Sequence, residues 1–197
     1  MWRIPSPSQL EGSLDAGAFK RTGLMNNKSI YYTSPVTCTA LTPQTLQPDI
    51  LTVGPLIVPK NVVVDQIGIR VITPGTATLC RLGIYGDNGN VFPRRLILDA
   101  GTVDVRTAGL CLQNVSQKLT PGLHYVGAVL NGTSSVITAH YNYHVNVLGY
   151  NATSYNQGYS RIDAPFPFTN GPLPDPFPAS GNYLCGPIFL VFVRFAA

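Results

Sequence analysis

The stretch IGIRVITPGTATLCRLGIYGDNGNVFPRRLILDAGTV, residues 67–103, decides how the chain is read. In Ile67-Gly68-Ile69-Arg70-Val71 the branched residues fall on alternate positions, which places them on one face of a strand. Thr73-Pro74-Gly75-Thr76 is a turn signal, after which alternation resumes. Cys80, Leu82 and Ile84 then face one way, and Arg81, Gly83 and Tyr85 the other. Asp87-Asn88-Gly89-Asn90 comes next, four residues that tolerate positive φ. A calcium loop sets oxygen ligands at alternate positions and closes with a bidentate acid several residues later. No acid follows this tetrapeptide until Asp99, beyond a run of strand residues, so it reads as a hairpin corner.

Further strand-like runs lie at residues 30–40, 51–58, 62–72, 95–98, 102–105, 110–119, 123–130, 136–147 and 187–195. No convincing amphipathic helix interrupts them. Many short strands with Gly and Pro at the corners predict an all-β fold, an antiparallel β-sandwich whose strand count favours a jelly roll. A closed up-and-down barrel is the alternative.

Two regions depart from this pattern. Residues 1–28 lack sustained alternation and carry only isolated apolar residues, among them Trp2, Ile4, Leu10, Leu14 and Phe19. They predict an extended N-terminal arm that is ordered by docking, ahead of a sandwich domain spanning 29–197. Within that domain DAPFPFTNGPLPDPFPASG, residues 163–181, has prolines at 165, 167, 172, 174, 176 and 178, which favour extended backbone outside a ladder. Phe166, Phe168 and Phe177 alternate among those prolines and need cover, from the sandwich itself or from a neighbouring subunit.

The chain of 197 residues is 45% hydrophobic and only 11% charged, with a single glutamate, Glu11. So little charge argues against a disordered chain and points to surfaces that meet other protein surfaces. Thirteen Lys and Arg against nine acids give a net charge of +4. The basic residues are scattered rather than gathered in one run, so no nucleic-acid partner is expected. The most apolar stretch, 188–193, is far too short for a membrane helix, and no apolar segment follows Arg3 as in a signal peptide. Cys38, Cys80, Cys111 and Cys185 have no paired spacing, so they are expected as reduced thiols in a protein made in a cytoplasm. Four Asn-x-Ser/Thr triplets, at Asn27, Asn114, Asn131 and Asn151, are a weak signal in a chain this rich in Asn, Ser and Thr.

Chemistry-bearing patterns are few. His140 and His144 have the spacing that pairs two metal ligands on a helix, but on a strand they stand roughly 13 Å apart, so no metal is expected. No nucleophile elbow, phosphate loop, dinucleotide fingerprint or zinc-protease motif is present. Asp99 and Asp104 sit in neighbouring strand segments without a sign of paired-carboxylate chemistry. The expectation is a protein that is not an enzyme and uses no cofactor. The segment HYNYHVNVLGYNATSYNQGY, residues 140–159, is crowded with Tyr, Asn and Gln, a composition shared by polar interfaces and carbohydrate sites.

Residues 67–132 carry a resemblance. The strand IGI, then RLGIYGDNGNVFPRRLILDAGTVD, then LTPGLHYVGAVLNG, resembles a module recurrent in structural proteins of tailed bacteriophages. The end, LPDPFPASGNYLCGPIFLVFVRF, is also similar to such proteins. The resemblance covers about a third of the chain and is specific to the module rather than to one role. It implies a β-rich, commonly trimeric virion protein on the outer surface of the particle. The first expectation is a capsid decoration (cement) protein that binds the major capsid protein and stabilises the head. On that expectation Trp2, Ile4, Leu10 and Phe19 contact the capsid, and Phe166, Phe168 and Phe177 lie between protomers of a homotrimer. The alternative is a tail-associated receptor-binding protein, fibre or spike tip, whose Tyr141, Tyr143 and Tyr155 contact a host surface glycan.

Overall fold

The computed structural model describes residues 31–32, 41–139, 148, 159–169, 171–184 and 188–196. Twelve strands and no helix are found among the described residues. The first eight are β1 (Leu41–Leu46), β2 (Ile50–Val58), β3 (Val62–Thr73), β4 (Leu79–Asp87), β5 (Pro93–Asp104), β6 (Gly109–Leu119), β7 (Gly122–Leu130) and β8 (Ser134–Ala139). They divide between two antiparallel sheets. One sheet holds β1, β8, β3 and β6 in that order, and the other holds β2, β7, β4 and β5. Those interleaved orders are the strand plan of a jelly roll, so the expected sandwich is the observed fold.

The last four strands are additions to this frame. β9 (Arg161–Pro165) pairs with β2, and β10 (Asn182–Leu184) pairs with β9, which widens the second sheet to six strands. β11 (Ile188–Phe189) pairs with β8, and β12 (Phe192–Phe195) pairs with β3. Because β8 also meets β3 at Val71 and Thr73, the closing segment enters as a wedge where β8 and β3 part. Tyr32 exchanges two backbone hydrogen bonds of 2.7 Å with Val193 at that wedge.

Strand bounds follow local chemistry. Pro55 sits within β2, yet β9 pairs only with Ile50 to Val53, so no ladder bond to β9 falls on its missing N–H. Sequence reading divides 95–105 into two strands at Asp99-Ala100-Gly101; the structure has one strand with a bulge. Leu82 faces Gly101 while Gly83 faces Asp99, which leaves Ala100 as the extra residue, and Gly101 has φ of 80°. The turn-like residues there kink the strand without ending it. The expected strand over 30–40 is described only at 31–32, and β1 lies just after it. Of the strand expected over 136–147, residues 136–139 fall in β8 and the rest lie outside the described residues. The arm, 1–28, also lies outside them.

Two cores result. Between the sheets, Leu56, Val64, Ile67, Ile69, Leu82, Ile84, Val126 and Val193 pack with their neighbours. On the opposite face of the second sheet lies another buried cluster, with Leu51, Val53, Tyr85, Tyr125, Val129 and Ile162 at its centre. The predicted alternation in β4 is therefore real, with Cys80, Leu82 and Ile84 in the first core and Tyr85 in the second. What it did not reveal is that both faces are buried.

Candidate functional site

The cover of that outer face is the chain's own Pro/Phe segment. Sequence reading places 163–181 as one loop, but Asp163 to Pro165 belong to β9, and the true strap runs from Phe166 to Gly181. Leu173 reaches down to Gly83, where a Cβ would lie 2.2 Å from its Cδ1. Phe177 meets Tyr85 edge to face with ring centroids 5.2 Å apart, and Phe92 at 5.8 Å. Tyr183 continues the cluster between Phe92 and Tyr159.

Polar anchors fix the strap at each end and in the middle. The Asp49 carbonyl accepts the Phe166 N–H at 2.8 Å, and its carboxylate accepts the Phe168 N–H at 2.8 Å. Asp99 accepts the Leu173 N–H at 3.0 Å, and the Tyr85 hydroxyl donates to the Pro174 carbonyl at 3.0 Å. The Leu96 N–H donates to Asp175 at 3.1 Å, and the Phe177 N–H to the Arg94 carbonyl at 2.7 Å. A proline-rich segment can make few ladder bonds, and the N–H groups of Phe166, Phe168, Leu173 and Phe177 are placed on acceptors outside the segment instead.

Of the two covers expected for these rings, the sandwich itself supplies one. Phe168 and Phe177 are only 6% and 3% exposed within their own protomer, and Phe166 packs partly buried against the same cluster. Little of the first two rings is left for a neighbouring subunit. The physical reason is that the second sheet has an apolar outer face, and the nearest apolar segment in the chain covers it. Each buried ring contributes about 1.5–3 kcal/mol before ordering costs.

Asp99 is the electrostatic centre of the arrangement. Arg81 holds it with Nε at 2.8 Å from one oxygen and Nη2 at 2.8 Å from the other, and the Gly101 N–H adds 3.1 Å. Burial pushes the Asp99 pKa up, but the hydrogen bonds from Arg81, Leu173 and Gly101 outweigh it and leave the carboxyl below its ordinary range. Burial beside Asp99 and Asp175 pushes the Tyr85 hydroxyl far up, so it stays a donor. Asp99 and Asp104 do not act on one another: Asp104 pairs instead with Arg106. The Asp87 corner is likewise local. Asp87 accepts the Gly89 N–H at 2.6 Å and the Tyr125 hydroxyl at 3.1 Å, and Asn88 accepts the Asn90 N–H at 2.7 Å. Among the described residues no group of His, Cys, Asp and Glu is arranged to hold a metal ion.

Sequence reasoning missed Asp49, Asp175 and Asn131 as fasteners. Asn131 accepts the N–H groups of Thr78 and Leu79 at 2.9 and 3.0 Å and donates to the Thr78 hydroxyl at 2.8 Å. It ties the end of β7 to the start of β4, a use of an Asn-x-Ser/Thr triplet that spacing alone does not reveal.

At the other side of the second sheet, between β1 and β11 on one wall and β9 and β10 on the other, opens a groove of about 310 Å³. Arg161 and Asp163 form an ion pair in it at 3.1 Å, and the Arg161 guanidinium stands 5.6 Å over the Phe189 ring. The expected capsid contacts Trp2, Ile4, Leu10 and Phe19, the tyrosines Tyr141, Tyr143 and Tyr155, and the pair His140 and His144 lie outside the described residues. Cys80 is buried and Cys111 half-buried, both as free thiols, while Cys38 and Cys185 lie outside. No protein-family model matches the chain. No curated protein matches it either.

Proposed function

We propose that this chain is a structural protein of a tailed-phage virion, a trimeric decoration protein that binds the outer capsid surface and stabilises the head without catalysing a reaction. One observation carries the reading. The stretch that resembles phage structural modules, residues 67–132, runs from within β3 to the end of β7 and so supplies strands to both jelly-roll sheets, including the central pair β7 and β4 of the second. Sparse charge supports it as well. Four Arg–Asp pairs, Arg81–Asp99, Arg106–Asp104, Arg161–Asp163 and Arg194–Asp65, neutralise one another within the described residues. What remains is a weakly charged exterior suited to protein contact.

The mechanism is mechanical. The sandwich is a rigid body, the strap closes its second sheet, and the segment at 1–28 reaches the capsid through Trp2, Ile4, Leu10 and Phe19. Linking three such arms in one trimer multiplies weak contacts through effective concentration. Cosedimentation of the purified protein with undecorated capsids tests the reading. Saturable binding and a raised capsid disruption temperature are expected; failure to bind capsids, with binding to tails or to host cells instead, would favour the receptor-binding alternative.

A further inference from the structure

The dipeptide Asn-Gly occurs three times in the chain, at Asn88-Gly89, Asn131-Gly132 and Asn170-Gly171. The last begins outside the described residues, and the first two lie in contrasting settings. An asparagine before a glycine is open to attack by the glycine's own backbone nitrogen, because no Cβ screens that nitrogen and the chain there turns freely. Asn88, Gly89 and Asn90 are all exposed, at the corner between β4 and β5. A Cβ built on Gly89, whose φ is 89°, would meet nothing within 4 Å, so the peptide has space to rotate.

We propose that Asn88 is a self-modification site, converting to isoaspartate and aspartate through a succinimide closed by the Gly89 nitrogen, and that Asn131 is held against the same reaction. The Gly89 N–H loses its proton to solvent base as its nitrogen bonds to the Asn88 Cγ. The Cγ–Nδ2 bond then breaks, and the side-chain nitrogen leaves as ammonia, taking a proton back from solvent. Water opens the ring at either carbonyl, giving isoaspartate where the main chain runs through Cγ and aspartate where it does not. Among the described residues the Asn88 side chain makes one hydrogen bond, its oxygen accepting the Asn90 N–H at 2.7 Å. The attacking nitrogen is restrained by one bond, from the Gly89 N–H to Asp87 at 2.6 Å. Both bonds are exposed, where water replaces them at small net cost.

Asn131 is fixed at both ends of its amide. Its oxygen accepts the Thr78 and Leu79 N–H groups, and its nitrogen, which would have to leave, donates to the Thr78 hydroxyl at 2.8 Å. Gly132 is buried, and a Cβ there would stand 2.7 Å from the Ala77 nitrogen and 2.8 Å from the Thr76 carbonyl carbon. That peptide has no space to turn toward the side chain before it. Conversion at Asn88 has consequences for the corner. It lays a second carboxylate beside Asp87, which already accepts the Tyr125 hydroxyl at 3.1 Å, and the isoaspartyl form adds a methylene to the main chain. The Asn88 N–H donates to the Phe92 carbonyl at 2.9 Å, and Phe92 packs on Phe177, so the change reaches the strap. This inference does not rest on the decoration reading.

The test holds the full folded chain at mildly alkaline pH in oxygen-labelled water and follows each Asn-Gly site by peptide mass spectrometry, with the urea-unfolded chain alongside. In the folded chain the peptide carrying residue 88 is expected to gain a solvent oxygen and to separate into aspartyl and isoaspartyl forms. It should do so at least about tenfold faster than the peptide carrying residue 131, since the bonds that hold Asn131 must break first. In urea the two sites should convert at similar rates, which assigns the difference to the fold. Conversion at 131 that keeps pace with 88 in the folded chain would overturn the inference. So would an Asn88 that survives in the folded chain over the time in which the unfolded chain converts.

Discussion

Gly83 and Leu173 meet where the strap crosses the middle of the second sheet. A Cβ on Gly83 would stand 2.2 Å from the Leu173 Cδ1 and 2.8 Å from the Leu98 carbonyl oxygen. The leucine can swing aside; the backbone oxygen of a paired strand cannot. Gly83→Ala is therefore expected to destabilise the fold even when Leu173 gives way. Leu173→Ala leaves a cavity over Gly83 and is expected to cost roughly 2–4 kcal/mol in urea unfolding. A cost near zero would mean that the strap does not rest on the sheet. Asp99 makes a pH-dependent prediction beside them. Its folded pKa lies below its unfolded one, so its stabilisation is complete above the ordinary carboxylate range, near 4, and is lost as pH falls through the depressed value. Urea midpoints measured from neutral pH down into that acid range should fall less steeply for Asp99→Asn than for the parent, with the variant already weaker at neutral pH.

At the level of elements, the strap is expected to behave as part of the protomer. Phe168→Ala and Phe177→Ala remove rings that are 6% and 3% exposed. Each should lower stability by about 3–5 kcal/mol. Light scattering on any fraction that stays folded should give an unchanged oligomeric mass. Dissociation of the oligomer without loss of protomer stability would instead support the inter-subunit role. The strap also shows what the sequence could convey. Alternation in 67–71 and 80–85 gave the strands and their inner face, because a branched residue at every second position has one good burial geometry. The count of strands gave the sandwich. The outer face was not legible, since Gly83, Tyr85, Tyr125 and Gly127 do not read as a core until Leu173 and Phe177 are placed over them. β9 and β10 were missed for a related reason. They are short, and the prolines that follow Asp163 mask the strand before them. The groove was illegible altogether, because it depends on a register across β2, β9 and β10 that no local pattern encodes.

For the whole molecule, the jelly roll supplies a body whose large apolar faces are both closed from within. Among the described residues the exposed large hydrophobic side chains are Ile57, Val91, Leu110 and Leu184. On the decoration reading the capsid contact belongs to the segment at 1–28. Removing residues 1–28 is expected to leave the strand content and melting transition by circular dichroism nearly unchanged while abolishing cosedimentation with capsids. Undiminished capsid binding by the truncated chain would assign attachment to the sandwich. The most direct measurement is immunogold or fluorescent labelling of this protein on intact virions. Label distributed over the head surface is the result expected of a decoration protein; label confined to the tail tip, or absent from the particle, would contradict it.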